Sequence, residues 1–236
     1  MNDSFSRTEA LIGEAPCERL KCSLVIVFGA GGIGSAVIEA IARAGVGYID
    51  IVDGDTVARS NINRQLIALE STVGLPKAEV ARDRALDINP AASVTAHNIF
   101  YNADTADGFE LSAYDYVIDA IDMVTSKLLL IERCASLGVP IICAMGAGNK
   151  LDPSRFRVSD INKTSGCPLA RVIRKELRQR GIKKLDVVFS DEEPRTPVTP
   201  VESAGGRNPP GSISFVPPVA GFVMAGYVIK KLAGIE

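Results

Sequence analysis

Apolar residues fall along the first half of this chain in short unbroken runs, separated by stretches in which they recur every three or four positions. That is the pattern of buried strands alternating with helices that cover them. Leu24–Phe28 is a run of five apolar residues with the β-branched bias of a parallel strand, and Ile33, Val37, Ile38 and Ile41 follow it at helical spacing. A second run, Tyr48–Val52, leads into a polar stretch, and a helical pattern then opens at Lys77 and passes through Val80, Ala81, Ala85 and Ile88 until Asn89-Pro90 stops it. Residues 94–96 read as a short strand, 116–120 as a stronger one, 126–137 as a helix and 141–145 as a strand. Strand and helix alternating in this way predict an α/β fold, a Rossmann-like, doubly wound and mostly parallel sheet.

Beyond residue 150 the pattern loosens. Residues 156–158 alternate like a strand, 168–180 carry Leu169, Val172, Ile173 and Leu177 at helical spacing with Pro168 near the first turn, and 186–189 read as another strand. Residues 190–211 hold five prolines and three glycines among polar residues, a long mobile loop or lid. Residues 212–216 then read as a strand and 217–232 as an apolar helix. Pro217, Pro218 and a short apolar length make that helix a buried core element ahead of a membrane span, although it is the one stretch that keeps membrane association open. The expected organisation is a single domain over 1–236: an N-terminal arm or helix over 1–22, a nucleotide-binding core over 23–150, and a substrate-facing extension of strands and helices over 151–236.

Chemistry enters at the first strand. Gly29, Gly31 and Gly34 fit the Gly-x-Gly-x-x-Gly turn, with Gly32 inside it. The first glycine permits the tight turn, the second lets the backbone approach a phosphate, and the third lets the helix pack on the strand, leaving a positive helix end toward an anion. Asp53 ends the second strand 53 − 34 = 19 residues beyond the last glycine. That is close to the roughly 20-residue offset of a carboxylate that accepts ribose hydroxyls. The strand at 116–120 places Asp119 and Asp122 at the carboxyl end of the sheet, where open α/β sheets bind ligands.

A formal net charge of -2 leaves nucleic-acid binding to local clusters, and one cluster is dense: Arg171, Arg174, Lys175, Arg178 and Arg180 on one helix, continued by Lys183 and Lys184. Five cysteines form no Cys-x-x-Cys pair and His97 is the only histidine, so no conventional zinc site is expected. Without a signal-type leader, the expectation is free thiols in a reducing cytoplasm. Cys167, at a helix start, is either a thiol activated by the helix dipole or a structural residue.

The set Gly29-x-Gly31-x-x-Gly34, Asp53-x-Asp55, Asn61-x-x-Arg64-Gln65, Lys77 and Asp119-x-x-Asp122 resembles the ThiF-type adenylating superfamily, which includes ubiquitin-activating enzymes and the activating enzymes of molybdopterin and thiamine biosynthesis. Lys163-Thr-Ser-Gly-Cys-Pro-Leu-Ala-Arg171 and Pro210-Gly-Ser-Ile-Ser-Phe-Val-Pro-Pro-Val-Ala-Gly-Phe222 resemble its tRNA threonylcarbamoyladenosine dehydratase branch. The resemblance implies an ATP-dependent, ligase-type cyclisation of a modified adenosine beside the anticodon. On that reading Arg64 and Lys77 supply fixed positive charge for the triphosphate, Asn61 and Gln65 neutral donors, and Asp53 holds the ribose. Asp122 carries Mg2+, and Asp55 and Asp119 are either magnesium-side carboxylates or turn caps. Arg7 matches an N-terminal arginine that reaches the partner's phosphates, which implies a homodimer. Arg171, Arg174, Lys175 and Arg178 become the RNA-phosphate contacts. The competing reading is adenylation of the C-terminal glycine of a small ubiquitin-like sulfur carrier, and sulfur-relay or redox protein partners stay open.

Overall fold

The computed structural model describes residues 4–199 and 210–235. Seven strands form one sheet in the order β3-β2-β1-β4-β5-β7-β6, namely β1 (Leu24–Phe28), β2 (Tyr48–Val52), β3 (Ser93–His97), β4 (Tyr116–Asp119), β5 (Ile141–Ala144), β6 (Phe156–Asp160) and β7 (Asp186–Ser190). All neighbours run parallel except the last pair, in which Phe156 faces Ser190 and Asp160 faces Asp186 in antiparallel register. The expected doubly wound α/β sheet is therefore present, with its switch point between β1 and β4.

Alternation along the strands divides the interior. Val25 and Val27 of β1, Ile49 and Ile51 of β2 and Ile118 of β4 point into one cluster with helices α2 (Glu14–Cys22), α3 (Gly34–Arg43), α4 (Lys77–Ile88) and α7 (Val216–Ala233). Ile26, Phe28 and Val117 point to the other face, toward α5 (Val124–Leu137), and further along that face Cys143, Val187 and Phe189 pack with α6 (Pro168–Gln179). Helix α7 is the apolar C-terminal segment. Its Ala220, Met224, Ala225 and Val228 are buried, and a Cβ added at Gly221 would lie 2.4 Å from the carbonyl oxygen of Ile33, so backbone contact with α3 is what this glycine permits. The segment thus serves as a core helix.

Where an N-terminal arm or helix is expected over 1–22, the described residues form α1 (Ser6–Ile12) and α2, separated by Gly13 at φ 87. One expectation is corrected. Residues 212–216 were read as a strand; they form an irregular turn that enters α7. Their alternating apolar residues, Ile213 and Phe215, are exposed, and the following prolines lack the N–H groups a ladder would need while suiting the first turn of a helix. Of the proline-rich loop at 190–211, residues 200–209 lie outside the described residues.

Candidate adenylation site

The glycine turn is built by close backbone approach. Gly29 adopts φ +94, and a Cβ there would stand 2.8 Å from the carbonyl oxygen of Ala120; a Cβ at Gly34 would stand 1.7 Å from the carbonyl oxygen of Gly29. The turn is thereby pressed against the end of β4 at the switch point, with α3 starting directly behind it. Asp53 braces it from the side: Oδ2 accepts from the N–H of Ala30 at 2.7 Å and Oδ1 from the N–H of Asp55 at 2.9 Å. Burial pushes the Asp53 carboxyl above its ordinary range, against the pull of those two N–H groups. Each oxygen keeps a second lone pair, so the residue orders the turn while still offering an acceptor to a ribose hydroxyl.

The segment after Asp53 is folded back over this edge. Thr56 bridges Pro76, the Val57 N–H donates to the Leu75 carbonyl at 2.8 Å, and the Lys77 N–H donates to the Asp55 carbonyl at 2.9 Å. Lys77 therefore starts α4 beside Asp55, and its buried Nζ is 2.8 Å from Asp55 Oδ2. A short 3-10 turn, Arg59–Asn61, leads into Arg64 and Gln65. Asn61 Oδ1 accepts from the Ala58 N–H at 3.0 Å, so the asparagine shapes this turn. Arg64 Nη1 donates to the Ser60 carbonyl and to Asn63 Oδ1, and a Cβ at Gly32 would be 3.5 Å from Arg64 Cγ and 3.0 Å from Pro217 Cβ. Gln65 is buried with Oε1 unpartnered, and its Nε2 would be 3.8 Å from a Cβ at Gly31. A buried amide aimed at a phosphate-type turn with an unsatisfied atom is what a site awaiting a polar ligand looks like.

The structure thus brings together Gly29, Gly31, Gly32, Gly34, Asp53, Asp55, Asn61, Arg64, Gln65 and Lys77. Asp122 sits two residues past Ala120, exposed, and has no ion-pair partner among the described residues. Asp119, expected as a magnesium-side carboxylate or a cap, is wholly buried; Oδ1 accepts from the Ile121 N–H at 3.0 Å and Oδ2 meets Lys127 Nζ at 2.6 Å. It is a turn cap and is out of reach of a metal. Lys127 escaped the sequence reading, although a lysine placed directly before Leu128-Leu-Leu-Ile131 and one turn after an acidic strand end was a usable signal.

The basic helix is only partly as expected. Gly146, just past β5, would bring a Cβ to 3.6 Å from Cys167 Sγ, so α6 begins near the carboxyl edge of the sheet and runs away from it. Arg171, Lys175 and Arg178 are exposed. Arg174 is half-buried and already engaged within the chain: its Nη1 donates to the carbonyls of Ile161 and Thr164 and, at 2.6 Å, to Thr164 Oγ1. Arg180 is engaged by Glu132 and Glu176. Cys167 is buried, and all five cysteines are free.

A glycine turn at the switch point, a ribose-side carboxylate and fixed cations define an α/β nucleotide-binding protein. The ThiF family model matches residues 5–236, and the chain belongs to that family. It is 46% identical over 242 residues to the tRNA threonylcarbamoyladenosine dehydratase of Bacillus subtilis, covering 98% of this chain and 95% of that protein. It is 35% identical to the Escherichia coli enzyme of the same name, covering 97% of this chain and 92% of that protein. The crystal structure of the E. coli dehydratase in complex with ATP superposes with a TM-score of 0.88 at 36% identity, over 98% of this chain and 94% of that one. The complex with AMP gives 0.89.

Proposed function

We propose that this protein is an ATP-dependent tRNA threonylcarbamoyladenosine dehydratase. The observation that carries the reading is the assembly of Arg64, Gln65 and Lys77 around the Gly29–Gly34 turn in a chain alike, end to end, to dehydratases whose structures hold ATP and AMP. In the reaction, an oxygen of the threonyl carboxylate attacks the α-phosphorus of ATP and pyrophosphate leaves. The carbamoyl oxygen of the same side chain then attacks the activated carbonyl carbon, AMP departs, and a proton lost from the carbamoyl nitrogen completes the ring. Water is removed in sum, and no protein nucleophile is required.

The chain's contribution is electrostatic and positional. Lys77, held in place by Asp55 at the start of α4, and Arg64, just past the anchored 59–61 turn, meet the charge that develops on the departing pyrophosphate. Gln65 and the turn amides hold the phosphates without adding charge. Mg2+ fits Asp122: magnesium binds through one or two carboxylates plus substrate phosphates and needs no all-protein cage. No cluster of three metal-ligating side chains occurs among the described residues. Mg2+ held by Asp122 would supply neutralisation of phosphate charge.

Exposed Arg171, Lys175 and Arg178 are the candidate grips for anticodon-arm phosphates, with Arg171 nearest the site. ATP and tRNA as substrates are consistent with a cytoplasmic protein. A homodimer is favoured by where Arg7 sits. Phe5, two residues earlier, packs 3.5 Å from where Gly45 would carry a Cβ, at the end of α3 that faces the amino edge of the sheet. That position is away from its own chain's turn, which is compatible with the role the family resemblance implies for Arg7, at a partner's site. Mixing Arg7→Ala and Asp122→Asn proteins, each nearly inactive, should restore activity through hybrid sites; no recovery despite subunit exchange removes that role.

The deciding experiment is mass spectrometry of nucleosides after incubation with ATP and tRNA bearing threonylcarbamoyladenosine. The cyclic, dehydrated nucleoside is expected. Pyrophosphate exchange stimulated by a ubiquitin-like carrier protein, with tRNA unchanged, would overturn the assignment in favour of carrier activation.

A further inference from the structure

The ion pair between Asp119 and Lys127 is the one group of charges in the described chain that is excluded from solvent on both sides, and the chemistry above uses neither residue. Removing both charges from water opposes folding, and well-packed apolar residues of similar volume generally serve stability as well or better. What the pair does beyond stability is visible in its other bonds. Asp119 ends β4, and while Oδ2 is held by Lys127 from the first turn of α5, Oδ1 is left to accept from the Ile121 N–H at 3.0 Å. The Ala120 N–H donates to the Phe28 carbonyl at 2.8 Å, and the Ala120 carbonyl is the atom against which Gly29 packs. One carboxylate therefore fixes a four-residue turn that touches the phosphate turn at its start and presents Asp122 and exposed Met123 at its end. On the adjacent strand, Cys143 is the register partner of Asp119; burial and the Asp119 carboxylate push its thiol well above the ordinary range, so it stays neutral and adds no competing charge.

We propose that Asp119 is a positioning residue: seated by Lys127, its side-chain acceptor shapes the 119–122 turn, setting both the seat of the glycine turn and the reach of Asp122 toward the nucleotide's phosphates and metal. This rests on the adenylation reading above. Asp119 is wholly buried and touches no substrate, so its effect travels through a backbone bond, and the decisive property is the acceptor it offers to Ile121.

Two double variants isolate that property without leaving a buried charge unpaired. Lys127→Met with Asp119→Asn retains an acceptor for the Ile121 N–H; Lys127→Met with Asp119→Leu removes it at similar volume. Both are neutral and both are expected to fold, as checked by thermal melting. The first should keep turnover within a few-fold of wild type. The second should lose roughly 10- to 100-fold, the scale of an ångström-level misplacement of a reacting group, and should need more Mg2+ for half-maximal activity. Equal turnover in the two, whether high or low, overturns the proposal, since a purely structural pair would not distinguish them. Asp122→Asn run in parallel judges the metal reading separately. If Asp122→Asn matches wild type while the doubles still differ, the metal assignment falls and the positioning role stands through Gly29.

Discussion

The carboxyl edge of the sheet and the outer face of α6 are both cationic, yet they hold their charges in different ways. At the sheet edge Lys77 is 7% exposed and paired with Asp55, and Arg64 is tied to the Ser60 carbonyl and the Asn63 amide. On α6, Arg171, Lys175 and Arg178 stand in solvent on a helix whose apolar side, Ala170, Ile173 and Leu177, is fully used by the core. A cation fixed before the ligand arrives needs no reorganisation as charge develops, which is where transition-state stabilisation comes from. A solvated cation instead gains by releasing counterions when it meets a phosphate, and that gain depends on salt. The same residue types are thus suited to chemistry in one region and to grip in the other.

The largest expected effect lies at the edge. Lys77→Ala and Arg64→Ala should each cut ATP-dependent turnover by roughly 100-fold or more, the cost of losing one preorganised charge. Their melting temperatures should fall little, because Asp55 is half exposed and water can replace the lost ammonium, and because Arg64 bonds only to its own turn. Turnover equal to wild type in both variants would erase the contrast between the two regions.

A smaller effect, of different kind, is expected on α6. Neutralising Arg171, Lys175 and Arg178 together should flatten the dependence of log tRNA affinity on log salt by up to about 2 units, at about 0.7 per single-strand contact, with ATP affinity unchanged. Arg174→Gln should behave otherwise. It loses bonds to Ile161 and Thr164 and should lower the melting temperature with little change in the salt slope. A salt slope insensitive to the triple substitution would make this face merely solvated.

How far each region could be read from sequence follows from the same contrast. The mainly apolar runs at 24–28, 48–52 and 116–120 each form a parallel strand, because strands covered by helices on both faces of the sheet keep few polar positions to disguise them. The glycine turn and Asp53 were legible because their spacing is itself the geometry. The position of β7 between β5 and β6 was not, since hydrophobic pattern carries no information on strand order. At the site, the sequence leaves Asp119 open between a magnesium-side carboxylate and a cap, because a carboxylate at a strand end has the same signature whether it faces a ligand or a buried lysine eight residues on. Arg174 looked like its neighbours on the helix; only the fold shows that the 161–164 turn lies beneath it. The 212–216 segment alternated like a strand but had no ladder to join, and it is instead fastened through Ser212 to the Asn63 amide at 3.1 Å, beside Arg64.

The smallest expected effect tests whether the C-terminal part also holds any charge as firmly as the sheet edge does. Asp191 follows β7 and is gripped by Arg157 Nη2 and Arg155 Nε, each at 2.6 Å, while the Arg157 guanidinium also stacks 4.6 Å from the centre of the Phe189 ring. The hydrogen bonds from Arg157 and then Arg155 hold the Asp191 carboxyl down to about 2, from an ordinary value of 3.8. A carboxyl depressed on folding contributes stability that is fully present above its unfolded value and is lost as pH falls through the folded one. The stabilisation from Asp191 should therefore be constant above about pH 4 and disappear between about pH 4 and 2. In thermal melts followed against pH, Asp191→Asn should melt slightly below wild type at neutral pH, and the two curves should converge as the pH approaches 2. Curves that stay parallel down to that pH would mean that the two arginines do not hold the carboxylate in solution.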